Sequence, residues 1–342
     1  MNKSILKSGK IVGFYIAVFL ICFGEASLAE TVHLKLAHFV PTMHVQHREA
    51  FVPFVENVEK LSNGDVQIKI YPGAQLGNPK NMVNNIKKGI TDIGFVIPSY
   101  VPGIFKRSGV FEMPFVFDDP EHVTRAMYDL FDKYFAEDYE DFKVLWFFSS
   151  PLSQVHTVKS PIKTIADFAG MPIRAGGATE TTAFRLLGAN TVGMDIKEMS
   201  ISLQKGVVDG VITPYAALKS HKIFDTVKHI TEVNFSGTLM VILMNKSKWN
   251  QLPTSAKTVI DQAAGQQMGL TASRAFLNED IENKEAAQKA GIQIHKLTPA
   301  EMSQIRGKMS GIYSGWVNSA NDKGLPGQEI MDAFLASADK NR

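Results

Sequence analysis

Residues able to do acid–base or ligand chemistry are scattered in this chain of 342 residues. His38, His44 and His47 fall close together near the start, at a spacing that invites a metal. No nearby carboxylate completes a coordination set, so these rings read as structural or ligand-contacting, and no metal is expected. Asp209-Gly210 follows a strand-like segment, and a turn aspartate explains it better than a catalytic one. Gly176-Gly177 is a local turn signal. The serine elbow G-x-S-x-G, the phosphate-binding loop, the zinc motif H-E-x-x-H and the dinucleotide fingerprint are all missing. Cys22 is the only cysteine, and Ile21 precedes it where a lipid-acceptor cysteine wants a small residue. No nucleophile is paired with a base signature, so neither an enzyme nor a bound cofactor is expected.

The formal net charge is +2, and no block of like charge occurs. Nucleic-acid binding needs concentrated positive charge, so it is not expected. Lys3, Lys7 and Lys10 precede a nearly unbroken apolar run, residues 11–23, and Ser27-Leu28-Ala29 then offers small residues to a signal peptidase. Residues 1–29 are therefore expected to be a cleaved secretion signal. The apolar run is short for a membrane span, which takes about 20 residues. Cleavage removes Cys22, so the remaining chain has no disulfide, no thiol and balanced charge.

Strand-like and helix-like patterns alternate, which indicates α/β architecture. Segments 32–37, 66–71, 92–97 and 144–148 read as strands, interleaved with helices over 48–61, 79–88 and 120–136. A second cycle begins near residue 153. Its strands are expected over 171–174, 191–194 and 207–212, and its helices over 165–169, 179–187 and 198–205. Residues 239–243 form another apolar strand. Segment 254–290 has no proline and two glycines, and predicts one helix of roughly 55 Å at 1.5 Å per residue. A short strand over 292–297 follows. Thr298-Pro299-Ala300-Glu301 is a helix start, and the helix it opens runs to about residue 320. A last helix covers 327–338. The expected organisation is 30–152 plus about 240–279 as domain I, 153–239 plus about 280–300 as domain II, and 301–342 as C-terminal helices packing on the lobes. Two such lobes close on a ligand by hinge motion.

An ordered series of motifs resembles the DctP-type solute-binding subunits of tripartite ATP-independent periplasmic (TRAP) transporters. The first lobe carries Tyr71-Pro72-Gly73-Ala74-Gln75-Leu76-Gly77, Gly89-Ile90-Thr91-Asp92-Ile93-Gly94 and Met113-Pro114-Phe115. The second carries Ile165-Ala166-Asp167-Phe168-Ala169-Gly170-Met171-Pro172-Ile173-Arg174, then Leu187-Gly188-Ala189, Glu198 and Leu203-Gln204-Lys205-Gly206-Val207-Val208-Asp209-Gly210. Trp249-Asn250-Gln251-Leu252-Pro253 leads into the long helical segment.

The resemblance implies an α/β, two-lobed periplasmic binding protein fold, type II-like, with a long helix bridging both domains. It implies capture of a small organic acid and delivery to membrane permease subunits. It gives the central ligand contact to the arginine ending the strand after the Asp-x-x-Gly turn, here Arg174. A guanidinium suits that role, since it donates paired hydrogen bonds to a carboxylate and keeps its proton. Two positions depart from the sialic-acid and dicarboxylate pattern. Thr213 replaces a ligand-contacting asparagine, and Gln154 stands where the sialic-acid branch has a second arginine. Both changes remove capacity for a second anionic group. Phe39, Tyr100, Phe115, Phe147 and Tyr215 fall where the family lines its cleft. The expected ligand is therefore a monocarboxylate with an apolar or aromatic body. A monomer is expected, with a dimer left open. The same cleft would also serve a sensor subunit presenting ligand to a membrane kinase, or a two-lobed enzyme.

Overall fold

The computed structural model describes residues 31–342. The expected secretion signal and Cys22 lie outside the described residues. No helix among those described is long and apolar enough to cross a membrane.

The strands form two separate sheets. The first contains β1 (Val32–Ala37), β2 (Val66–Tyr71), β3 (Ile93–Val96), β4 (Phe142–Ser149) and, from much later in the chain, β10 (Leu239–Asn245). The second contains β5 (Gln154–Thr157), β6 (Pro172–Ala175), β7 (Asn190–Gly193), β8 (Gly210–Thr213), β9 (His229–Glu232) and β11 (Gln293–Lys296). In space the first sheet runs β2-β1-β3-β10-β4 and the second β11-β9-β5-β8-β6-β7. β1 pairs in parallel with β2 and β3, whereas β10 is antiparallel to both β3 and β4. β3 is buried along its whole length and β10 along nearly all of it, as expected of strands covered on both faces. In the second sheet β6 lies between β7 and β8, parallel to both. That central place fixes Arg174 between Val192 and Val211.

The chain crosses between the lobes at residues 150–153, again at 233–238, and a third time along a helix. The first two crossings run side by side. Ser150 N–H donates to Thr238 O at 3.0 Å, and Ser153 N–H to Ser236 O at 2.9 Å. The side chain of Gln154 ties the same crossings. Its Oε1 accepts from the amides of Val233 and Asn234 at 2.9 and 3.0 Å, and its Nε2 donates to Asn234 Oδ1 at 2.7 Å. The amide is consumed by this hinge, so the expected ligand contact at Gln154 is corrected to a structural one.

The predicted single helix over 254–290 is also corrected. It breaks into Thr254–Ala263 and Gly265–Lys289, because Gly265 takes φ +82°, a left-handed conformation that favours glycine. The second piece, 25 residues and about 37 Å long at 1.5 Å per residue, bridges the lobes. Gln46 of the first lobe donates to Ala272 O at 2.9 Å, while Asp280 accepts from Ala216 N–H of the second lobe at 2.8 Å. The helix expected to reach residue 320 divides at Ser310 into Pro299–Met309 and Gly311–Asn321. Its start is as predicted, with Thr298 Oγ1 accepting from Glu301 N–H at 3.2 Å.

Candidate functional site

A cavity of about 60 Å³ lies between the sheets. One water needs about 10–15 Å³ measured the same way, so the space suits a compact ligand. Its walls are mostly apolar: Phe39, Phe95, Ile196, Met240 and Phe276. Phe39 stacks on Phe95 with centroids 4.5 Å apart. The first sheet and its loops thus supply one wall, the second sheet the other, and the bridging helix closes an end with Phe276.

Arg174 is the cation of the cavity and is only 3% exposed. Its Nη1 donates to Ile212 O at 3.4 Å, and its Nη2 to Tyr100 Oη at 3.1 Å and Met194 O at 3.3 Å. Its Nε is buried with no protein partner. Burying an incompletely paired guanidinium is unfavourable unless an anion completes it. A Cβ at position 176 would stand 2.9 Å from Nη2, so a side chain there would displace the guanidinium. Glycine lets the guanidinium lie flat along the loop that leads into the helix Ala178–Leu186. From that helix Glu180 returns to accept the Gly176 N–H at 2.6 Å. Burial raises the Glu180 carboxyl, with Arg174 pulling against it.

Two further groups line the cavity in pairs. His44 and His221 meet edge to face at 5.9 Å, one from each lobe. Burial, helped by neighbouring positive charge, holds His44 well below the usual range and His221 down to about 4, so both rings are neutral near pH 7. His44 Nδ1 accepts from Gln46 N–H at 3.1 Å, which leaves its proton on Nε2 as a donor. Glu112 approaches Glu180 from the first lobe. Burial, the largest cause, and repulsion by Glu180 push its carboxyl up to about 8, with the Ser99 hydroxyl pulling the other way.

Of the residues expected from the sequence, Arg174, Thr213, Phe39 and Tyr100 line this cavity together. The others do not. Tyr215 turns into the core of the second lobe, where its hydroxyl donates to Glu232 at 3.1 Å and its ring meets His156 edge-on. Phe147 packs among Tyr128, Phe131 and Tyr139. Phe115, at φ +65°, sits against Phe235 and under Arg306. Each is removed from the cavity by its own packing. Sequence reasoning missed Glu112, Glu180, His221 and Phe276. Glu112 directly precedes Met113-Pro114-Phe115 and could have been found there; the others carry no local signal. Among the described residues, no group of three or more His, Cys, Asp or Glu side chains is placed to hold a metal, and His38 and His47 bond to each other at 2.9 Å.

The family model described as bacterial extracellular solute-binding protein, family 7, matches residues 36–319. A TRAP solute-binding protein of Rhodoferax ferrireducens T118, solved with copurified benzoate, is 27% identical with a TM-score of 0.88, covering 91% of this chain and 98% of that one. A marine-metagenome TRAP solute-binding protein from an unidentified microbe, specific for aromatic acid ligands and solved with 3-hydroxybenzoate, is 31% identical. Its TM-score is 0.87, over 90% of this chain and 98% of that one. The C4-dicarboxylate-binding periplasmic protein DctP of Rhodobacter capsulatus is 26% identical over 282 residues, 80% of this chain and 83% of that protein.

Proposed function

We propose, from the premise that this chain belongs to the bacterial extracellular solute-binding proteins of family 7, that its cavity captures a monocarboxylate with an aromatic or other apolar body. Membership makes the protein a TRAP-type receptor for an organic acid and not an enzyme. The finer reading is our own. The receptor works in the periplasm and hands its ligand to the membrane permease subunits. The carboxylate meets Arg174, and the body of the ligand fills the space between Phe39, Tyr100, Phe276 and Met240.

One observation carries the reading: a buried guanidinium with an unpartnered Nε faces a small, largely apolar cavity. A second arginine is not among the lining residues, so a compact dicarboxylate would bury one carboxylate unpaired. Aromatic acids bound by the two structural relatives support the same class.

Calorimetry with benzoate, 3-hydroxybenzoate and succinate tests this. The aryl acids are expected to bind and succinate to bind more weakly or not at all. Removing one partner of a buried charge pair costs about 2–5 kcal/mol, so Arg174→Ala should lose roughly 30- to 3000-fold in affinity. Succinate outperforming both aryl acids, or an unchanged affinity in Arg174→Ala, overturns the reading.

A further inference from the structure

Glu112 and Glu180 reach the cavity from opposite lobes, and the carboxylate contact above uses neither. Both are buried, 5% and 7% exposed. Glu112 Oε2 lies 3.1 Å from where a Cβ would stand on Gly177, in the loop whose neighbouring Gly176 amide is held by Glu180. The first lobe thus sets an acid side chain against the loop that the second lobe's own acid holds. Glu112 and Gly177 belong to different lobes, so a parting of the lobes would separate them.

A ligand carboxylate brings a third negative group to a place served by one guanidinium. We propose that Glu112 enters the shut cavity as a neutral carboxylic acid, so that capturing a carboxylate anion takes up one proton from solvent. The proton comes from solvent or buffer and forms the O–H bond of Glu112; no other bond changes. This rests on the cavity being a carboxylate site.

The surroundings agree. From its own lobe Glu112 has the Ser99 hydroxyl beside it, and the neighbouring strand β10 offers uncharged Met240. Behind it, the C-terminal helix Gly327–Lys340 packs Phe334 on Phe111. From the other lobe it faces Glu180, and Arg174 attracts Glu180. Tyr100 stands by Arg174 with its proton held firmly by burial. Repulsion by Glu180 adds to burial in favouring the protonated form of Glu112.

The sign follows from linkage. A carboxyl that binds its proton more tightly in the shut, liganded form strengthens binding as pH falls and stops doing so as pH rises through its raised value, about 8. His44 and His221 work oppositely, since burial expels their protons, but only below their ordinary pKa of about 6.5. The clean window therefore lies above neutrality.

The probe is benzoate, titrated calorimetrically into the whole secreted chain in two buffers of different ionisation enthalpy. Near pH 7.5 most of one proton should be taken up per benzoate, and from about pH 7 to 9 the affinity should fall about tenfold. In Glu112→Gln the uptake should vanish and the affinity should stop changing across that range. Benzoate bound with no proton uptake by the unaltered chain sinks this inference and leaves the function standing, as does full uptake in Glu112→Gln. No binding of benzoate at millimolar concentration, with succinate bound instead, overturns the function and this inference with it. If Glu112→Gln does not fold, the two-buffer titration of the unaltered chain decides alone.

Discussion

At the residue scale, the guanidinium of Arg174 is held by three weak contacts and a neighbour with no side chain. The long bond to Ile212 O and those to Tyr100 and Met194 orient it without neutralising it. Gly176 permits the pose, and a methyl group there would displace Nη2. Gly176→Ala should therefore lower benzoate affinity about tenfold or more while moving the melting temperature little, since the strain sits on one side chain. Calorimetry and thermal denaturation on one preparation check both halves; a destabilised variant with full affinity would show that the glycine serves the fold instead. Arg174 and Thr213 were legible because motifs lead to each, and Phe39 and Tyr100 only through the family's cleft-lining positions. Glu180 and His221 were not. Each is an unremarkable letter in its own segment, and only closure of a cleft between distant segments gives it a role. Tyr215 was misread for the complementary reason. It follows Thr213 and Pro214, but the chain turns after β8 and carries its ring into the second lobe's core.

At the element scale, β4 shows how an aromatic strand can mimic a binding wall. Phe147 and Phe148 are both fully buried, yet on opposite faces of the strand. Phe148 joins the Phe95 cluster behind the cavity, whereas Phe147 completes a ring cluster with Tyr128 and Tyr139. Phe147→Ala should cost about 3–5 kcal/mol of stability, as large-to-small core changes do. Benzoate affinity should stay within about threefold if the variant folds. Chemical denaturation followed by titration measures the two. The major strands and helices could be read from their periodicity. β5 and β9 could not, because four-residue strands reading Gln-Val-His-Thr and His-Ile-Thr-Glu look like loop until a neighbouring strand pairs with them. The break at Gly265 was concealed because a glycine within a helical pattern is either tolerated or a stop, and its neighbours do not decide which.

At the scale of the whole molecule, three crossings let the lobes rotate while staying registered. Adding benzoate should shrink the radius of gyration seen by solution X-ray scattering, and Arg174→Ala should show no such change at the same concentration. Ligand at a hundred times its Kd should also stabilise the protein by about 2.7 kcal/mol. Equal radii with and without benzoate, at saturation, would mean that the cleft does not close on its ligand. The insertion of β10 between β3 and β4 has a further consequence, for assembly. A chain released amino end first presents β4 long before the strand that must flank it. Until residue 245 has emerged, the inner edges of β3 and β4 stay unpaired, and the entire second sheet except β11 is available to fold ahead of the first. The amino-terminal half therefore waits for the carboxy-terminal half, and an interval of exposed apolar edge, open to holding factors or to aggregation, is written into the connectivity.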